Sequence, residues 1–293
     1  MVQHQAIIIG GGIIGAGIAY YLAKSGIKDV ILLEKADMLG TGATQYCSGG
    51  VRHQFTTPIN VKFSIEAFKE LRRFDIDYKK YGYLILDMKD DSKARVQMQN
   101  KLGVKSEYLT PNQIKARFAY LNTNGVVSGS FFAEDGIADP ARLLEIYAKG
   151  ARAGGAKIET KAEVGRIMKD GARVVGVEAG GKILKADHVV LAAGVWSRDL
   201  GKTIGLDIPI LNKRKFILSI DGFAFDYPVI MEIPTGWYIK KEGKLALTGM
   251  SGKEDGRVCD LESECTEQTV AASLKRFPET QKSGIRRVIN SLS

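Results

Sequence analysis

Three glycines, Gly10, Gly12 and Gly15 in the run GGGIIG, stand between a short apolar segment and a stretch with helical spacing. In that context Gly10 permits a tight turn, Gly12 lets a pyrophosphate approach the backbone, and Gly15 lets a helix pack closely on a strand. The N-terminus of that helix offers positive potential and unbonded N–H groups to an anion. Glu34, at the end of a second apolar run, is placed to accept hydrogen bonds from a ribose diol, and its charge would repel a 2′-phosphate. These residues suit the ADP half of a dinucleotide. Directly beyond Glu34, the loop LGTGATQYCSGGVRHQF (Leu39 to Phe55) is rich in glycine, serine and threonine. A loop of this kind can line both a pyrophosphate and the near side of a flavin, which a simple nicotinamide site does not need, so FAD is expected over NAD. A third motif, VVLAAGVWS (Val189 to Ser197), runs a buried strand into small residues that can lie close under the same cofactor.

The elements that must hold these residues follow from periodicity. Ala6 to Ile9, the helical stretch Ile13 to Ala23 and the apolar run Val30 to Leu33 read as a βαβ opening, which favours a parallel sheet. Pro58 to Tyr78 reads as a helix with Phe63, Ala67, Phe68, Leu71 and Phe74 on one side. Gly82 to Leu86 is a strand, the charged sequence from Lys89 to Lys105 and then Pro111 to Phe118 suggest surface helices, and Gly129 to Ala133 is a further strand. Pro140 starts a helix to about Ala153 with Leu143, Leu144 and Ala148 facing a core. Short strands follow at Lys157 to Glu159, Val164 to Met168, Val174 to Ala179 and Lys182 to Lys185, and alternation dominates from Phe216 to Thr248, as in an antiparallel sheet. The expected architecture is α/β: a Rossmann-like FAD-binding domain (1–80 and 136–209) interleaved with an α+β substrate domain on a mostly antiparallel sheet (81–135 and 210–293).

Composition narrows the class. The 293 residues carry 42 Lys+Arg against 33 Asp+Glu, a net charge of +9, but the basic residues are scattered, NKRK at Asn212 to Lys215 being the densest group. No nucleic-acid surface is expected from that distribution. Cys47, Cys259 and Cys265 have neither metal-site spacing nor the even count of a disulfide framework, which suits a reducing compartment and no bound metal. No apolar run has the length of a membrane span and no signal-peptide pattern precedes the first strand, so a cytoplasmic protein is the expectation.

The GGGIIG turn, Glu34, the TGATQYCSGGVRHQF loop, DGIADPARL (Asp135 to Leu143), AAGVWS and GWYIKKEGKLALTG (Gly236 to Gly249) together make the chain resemble the D-amino-acid oxidase-like FAD oxidoreductases. Among these it is most similar to the β-type chains of sarcosine oxidases and dye-linked L-proline dehydrogenases, with glycine oxidase a further relative. The resemblance implies cofactor contacts from Gly10, Gly12, Ile13, Ile14 and Gly15, from Glu34 and Lys35, and from Thr41, Gly42, Ala43, Thr44, Ser48, Gly49, Gly50 and Val51. It adds Val164, which would meet the adenine through its backbone, and Ala192, Ala193, Gly194 and Trp196. It implies that Arg52 grips a substrate carboxylate, a task that suits a guanidinium fork, with His53 and Tyr238 as an active-site polar group and a cover over the substrate.

The implied chemistry is hydride removal from the carbon beside an amine nitrogen of an amino acid or secondary amine (sarcosine-, proline- or glycine-like), with transfer to flavin N5. Lys213, Arg214 or Lys215 would supply positive charge near the reduced flavin, or form a solvated basic turn. Leu247 occupies the place where monomeric sarcosine oxidases carry an oxygen-activating lysine, which favours a dehydrogenase over an oxidase. Relatives continue beyond Ile285 to Ser293 into a segment that completes the flavin site, so the chain is expected to be short of that segment or to use a hetero-oligomeric partner, another oxidoreductase subunit or electron acceptor. Two alternatives stand beside amine oxidation: a truncated FAD-binding subunit without turnover of its own, and an FAD-dependent hydroxy-acid dehydrogenase of the same fold.

Overall fold

The computed structural model describes residues 3–76, 78–210, 214–250 and 262–292. In chain order the elements are β1 (Gln3–Ile9), α1 (Ile13–Lys24), β2 (Val30–Leu33), β3 (Gly50–Val51), α2 (Pro58–Arg73), β4 (Tyr83–Asp87), α3 (Ser92–Lys101) and β5 (Glu107–Leu109). There follow α4 (Pro111–Arg117), β6 (Ser128–Phe132), β7 (Gly136–Ile137), α5 (Pro140–Ala153), β8 (Lys157–Glu159), β9 (Val164–Asp170), β10 (Arg173–Ala179) and β11 (Lys182–Leu191). The last are α6 (Ser197–Lys202), β12 (Arg214–Asp221), β13 (Val229–Ile233), β14 (Tyr238–Glu242), β15 (Leu245–Gly249), α7 (Glu262–Arg276) and β16 (Ile285–Leu292).

The chain folds into two compact units, one of Met1–Cys47, Asp139–Asn212 and Leu292–Ser293, the other of Ser48–Ala138 and Lys213–Ser291. The first boundary between these units falls after Cys47. Residues 48–80 join the second unit because β3 pairs with β7, Gly50 opposite Ile137 and Val51 opposite Gly136.

In the first unit a six-stranded sheet has the order β8-β2-β1-β11-β10-β9. The β8, β2, β1 and β11 strands run parallel, as their βαβ connections require. β10 and β9 add an antiparallel meander. The two strands expected at Lys182 to Lys185 and Val189 to Leu191 are one strand, β11, which pairs with β10 over Lys182 to Lys185 and with β1 from Lys185 to Leu191. Alternation on β1 sends Ala6 and Ile8 towards α1 and α5, where they pack with Ala19, Ala23 and Ala151. Ile7 and Ile9 face the opposite side and pack with Val164, Ile167 and Val177 of the meander. The two helices approach closely through small residues: a Cβ on Gly17 would stand 3.4 Å from the Tyr147 ring.

The second unit is an eight-stranded sheet of order β16-β12-β15-β14-β13-β4-β6-β5, in which β12/β15, β15/β14, β14/β13, β4/β6 and β6/β5 pair antiparallel and β13/β4 parallel. One face, with Leu84, Leu86, Leu218, Ile230, Ile239 and Ala246, packs around Trp237 and Phe277 in the largest core. α2 is amphipathic, yet its buried side is Val61, Ser64, Phe68 and Leu71. Phe63, expected in that stripe, is 67% exposed because the helix presents the i, i+3, i+7, i+10 row. α3 is also not a plain surface helix, since Ser92, Arg95, Val96 and Gln99 are buried. Arg95 donates to Asp87 across 3.1 Å in that contact.

Candidate functional site

In the first unit, the glycine turn folds as its spacing requires. Gly10 has φ +110°, and a Cβ there would stand 2.4 Å from the Ala192 carbonyl oxygen. A Cβ on Gly15 would stand 1.9 Å from the Gly10 carbonyl oxygen. Both clashes are with backbone, which has nowhere to go. The GGGIIG and AAGVWS motifs, far apart in sequence, are thus in direct contact, with Ala192 N–H donating to the Ile9 carbonyl across 2.8 Å.

The first turn of α1 has no side-chain cap from Gly12. Its orphan donors are available to a ligand, apart from Ile13 N–H, which the Thr44 hydroxyl accepts at 3.1 Å. Thr44, expected beside a phosphate, is therefore at the helix N-terminus where a phosphate would be held. Glu34 is 9% exposed and accepts the Gly11 N–H at 2.6 Å through one oxygen and the Ala36 N–H at 2.9 Å through the other. A carboxylate offers about four lone-pair sites, so the two that remain suit the two hydroxyls of a ribose diol. Ile14, at the mouth of the turn, is 66% exposed. The Lys35 ammonium lies over the Trp196 ring, 3.5 Å from its centroid, and Gly42 faces the same ring. Trp196 itself is half-exposed, and Ala193 and Gly194 lead into it in a 3-10 turn, Gly194 at φ +55°. Thr41 and Ala43 lie in the same loop; the Thr41 carbonyl accepts from the Gln45 side chain. Val164 opens β9, buried beside Ala162, whose N–H donates to the Glu34 carbonyl across 2.9 Å.

Ser48, Gly49, Gly50 and Val51 belong to the second unit, where Gly49 has φ +72° and its carbonyl accepts from Ala138 N–H. A Cβ on Gly50 would meet the Tyr83 hydroxyl at 2.3 Å. Arg52 follows. Its guanidinium stacks over Phe55 (5.0 Å) and Tyr83 (5.9 Å) and donates to the Met231 thioether at 3.2 Å. It is partly buried, and no carboxylate among the described residues pairs with it. Tyr238 stands directly across from Met231 in the β13/β14 ladder, so Arg52 and Tyr238 share that methionine as neighbour.

His53 is held differently. Its ring stacks on Phe68 with centroids 3.7 Å apart, meets Phe132 edge-on, and places Nδ1 2.7 Å from an Asp135 carboxylate oxygen. Asp135 is wholly buried and also accepts the His53 backbone N–H at 2.8 Å and the Gln54 amide at 3.2 Å. The motif containing Asp135 was visible in the sequence, but nothing there indicated that its carboxylate grips residues 53 and 54.

A buried lysine on this sheet also escaped sequence reasoning. Lys240, 2% exposed, is the cross-strand neighbour of Leu247 and pairs with Glu242, so the face carrying Leu247 does contain a lysine. Lys213 lies outside the described residues, as does Cys259, and for Arg214 and Lys215 only the backbone in β12 is described. Among the described residues there is no cluster fit for a metal ion, and no helix is long and apolar enough to cross a membrane.

Comparison with known proteins places this geometry. The family model described as "FAD dependent oxidoreductase" matches residues 5–290. The chain is 29% identical over 258 residues to 4-methylaminobutanoate oxidase (formaldehyde-forming) of Paenarthrobacter nicotinovorans, covering 84% of this chain and 31% of that protein. It is 28% identical over 257 residues to mitochondrial dimethylglycine dehydrogenase of Homo sapiens, covering 82% and 29%. It thus spans about a third of the length of these curated relatives. Among solved structures, L-proline dehydrogenase from P. horikoshii superposes with a TM-score of 0.87 at 27% identity, covering 99% of this chain and 81% of that one. A match along nearly the whole chain establishes that the protein belongs to the FAD-dependent oxidoreductase family, with FAD as its cofactor.

Proposed function

We propose that the chain oxidises the C–N bond of an amino acid or secondary amine that also carries a carboxylate, sarcosine-, proline- or glycine-like, as a β-type subunit of a larger oxidoreductase assembly in a reducing compartment. The observation that carries this reading is Arg52: a partly buried guanidinium with aromatic faces and a thioether for neighbours and no acidic partner among the described residues. Buried arginines elsewhere in the unit are neutralised, Arg95 by Asp87 and Arg276 by Glu232. A desolvated cation without a counter-ion is costly in the free protein and is relieved by an incoming carboxylate in bidentate geometry. The substrates named for the three relatives, 4-methylaminobutanoate, dimethylglycine and proline, each join an amine nitrogen to a carboxylate.

In this reading the glycine turn and Glu34 hold the ADP half of FAD, with Ile13, Ile14 and Thr44 at the pyrophosphate and Val164 near the adenine. Lys35 and Trp196 flank the ADP half, while Ser48 to Val51 approach the flavin. FAD, when bound, accepts the hydride at N5. Arg52 fixes the substrate by its carboxylate, Tyr238 covers it, and His53 supplies a polar group beside it. Fixing the carboxylate confines the adjacent carbon to a small volume, an orientational gain that a freely tumbling amine lacks.

The test is the visible spectrum of the purified chain, followed without oxygen as sarcosine, L-proline, glycine, D-amino acids and 2-hydroxy acids are added in turn. Bleaching of the flavin bands by an amine substrate is the expected result. Bleaching by a hydroxy acid alone would replace the amine reading with alcohol oxidation. Bound FAD that no substrate reduces would mark a cofactor-holding chain without turnover of its own.

A further inference from the structure

We infer that Asp135 is a positioning residue for Arg52: its buried carboxylate locks the segment that presents the guanidinium. The inference rests on the carboxylate-receptor reading of Arg52. It starts from an asymmetry in how residues 50–54 are held. On the N-terminal side, Gly50 and Val51 pair with Ile137 and Gly136. On the C-terminal side, Asp135 accepts three hydrogen bonds, from the His53 N–H, from the His53 ring and from the Gln54 amide, at 2.8, 2.7 and 3.2 Å. Gln54 is 2% exposed and also donates to the Tyr83 carbonyl at 3.0 Å. Arg52 is therefore flanked on both sides by backbone fixed to one short stretch, Asp135–Ile137.

That stretch is itself immobilised. Gly82 N–H donates to the Asp135 carbonyl, and Lys79 exchanges two backbone bonds with Ile137. Gly136 approaches so closely that a Cβ would meet the Lys79 carbonyl oxygen at 2.0 Å. A wholly buried carboxylate is tolerated only when its oxygens are satisfied, and the donors that satisfy this one come from the two residues after Arg52 and from no lysine or arginine. An ionised carboxylate only accepts, so the His53 ring must carry its proton on Nδ1 in the neutral form, leaving Nε2 as an acceptor. One charge thus fixes two things, the seat of Arg52 and the tautomer of His53.

The test is a double-mutant cycle on the FAD-loaded chain. Its probe is cyclopentanecarboxylate, which keeps a ring carboxylate but has no amine to oxidise, and binding is read by calorimetry. Asp135→Ala should weaken binding at least tenfold at unchanged folded fraction, and Asp135→Asn, whose one oxygen can keep the two His53 bonds while its NH2 faces the Gln54 amide, should recover part of that loss. Added to Arg52→Met, Asp135→Ala should weaken binding no further, because its effect passes through the arginine. The His53 amide, sheltered by the carboxylate, should exchange with solvent deuterium faster in Asp135→Ala. If Asp135→Ala fails to fold, His53→Phe, which keeps the stack on Phe68 and removes the ring bond, should weaken the probe three- to tenfold and, added to Arg52→Met, weaken it no further, whereas a direct contact from His53 would lower affinity in both backgrounds. Effects of Asp135→Ala and Arg52→Met that multiply, or unchanged affinity in Asp135→Ala or its substitute His53→Phe, would overturn the positioning role while leaving Arg52 as receptor. Unchanged affinity in Arg52→Met would remove the receptor reading, and the inference with it.

Discussion

The same substitution at two arginines should have opposite consequences. Arg276 is 1% exposed, pairs with Glu232, and donates to the Asn122 and Asn124 carbonyls at 3.2 and 2.6 Å. Arg276→Met leaves Glu232, itself 5% exposed, as an uncompensated buried charge, a loss of about 3–5 kcal/mol. At about 2–4 °C per kcal/mol for a chain of this size, the midpoint of thermal unfolding should fall on the order of 10 °C. Arg52→Met strands no charge. It removes two ring contacts worth about 0.5–1 kcal/mol each and also relieves the desolvation of a guanidinium, so stability should change by no more than about 1 kcal/mol. Its cost appears in binding: two charge-assisted hydrogen bonds at about 1.5–3 kcal/mol each, or a loss of at least about a hundredfold in affinity for a carboxylate ligand. Differential scanning calorimetry and a carboxylate titration on the two variants separate the cases. The reasoning fails if Arg52→Met melts as early as Arg276→Met, for that would mean the cation has a structural counter-charge, or if it binds carboxylate as the parent does.

Gly15→Ala should destabilise the first unit by about 1–3 kcal/mol through overpacking against the Gly10 carbonyl and weaken FAD at least tenfold. Gly165→Ala, with nothing within 4 Å of its new methyl, should lie within about 0.5 kcal/mol of the parent. Quenching of the half-exposed Trp196 reports FAD binding in both, because the other tryptophan, Trp237, is wholly buried in the second unit's core. The hydrogen bond from Arg286, then that from Gly284 N–H, holds the Asp221 carboxyl below its ordinary 3.8. A group depressed on folding stabilises above its unfolded pKa and loses that contribution as pH falls through its folded one. The stability difference between the parent and Asp221→Asn in urea should therefore be constant from neutral pH down to about 4, shrink below that, and vanish in stronger acid; a difference that persists there would show the bond to be independent of charge.

What the sequence could disclose was what is local. The turn at Gly10 to Gly15, the strand before it and the acid at Glu34 obey short-range rules of spacing, and each took its expected place. Leu39 to Phe55 reads as one stretch in the sequence, but Gly50 and Val51 in its second half pair with β7, more than eighty residues away. α3 was read as a surface helix on its polarity, but Arg95 and Gln99 are buried against Asp87 and the Phe55 carbonyl. Composition cannot distinguish a polar residue facing water from one facing a polar partner supplied by another part of the chain. The same blindness hid the difference between Arg52 and Arg276, which are identical letters until the acids around them are placed.

The strand register of the second unit fixes Tyr238 and Met231 beside Arg52. Along β13, β14 and β15, alternate residues Ile230, Ile239, Ala246 and Thr248 are buried on the core face, and Met231, Tyr238, Lys240 and Leu247 occupy the other. A slip of one residue in β14 would carry Lys240 and its charge into the core around Trp237 and Phe277, so the register is fixed by the apolar face. Tyr238 is consequently locked opposite Met231, and Met231 stays within reach of Arg52, whatever chemistry the polar face performs. Residues on that face lie outside the core around Trp237 and Phe277, so exchanges there leave that core intact. Exchanges on the core face would shift the guanidinium's neighbours and degrade binding from a distance.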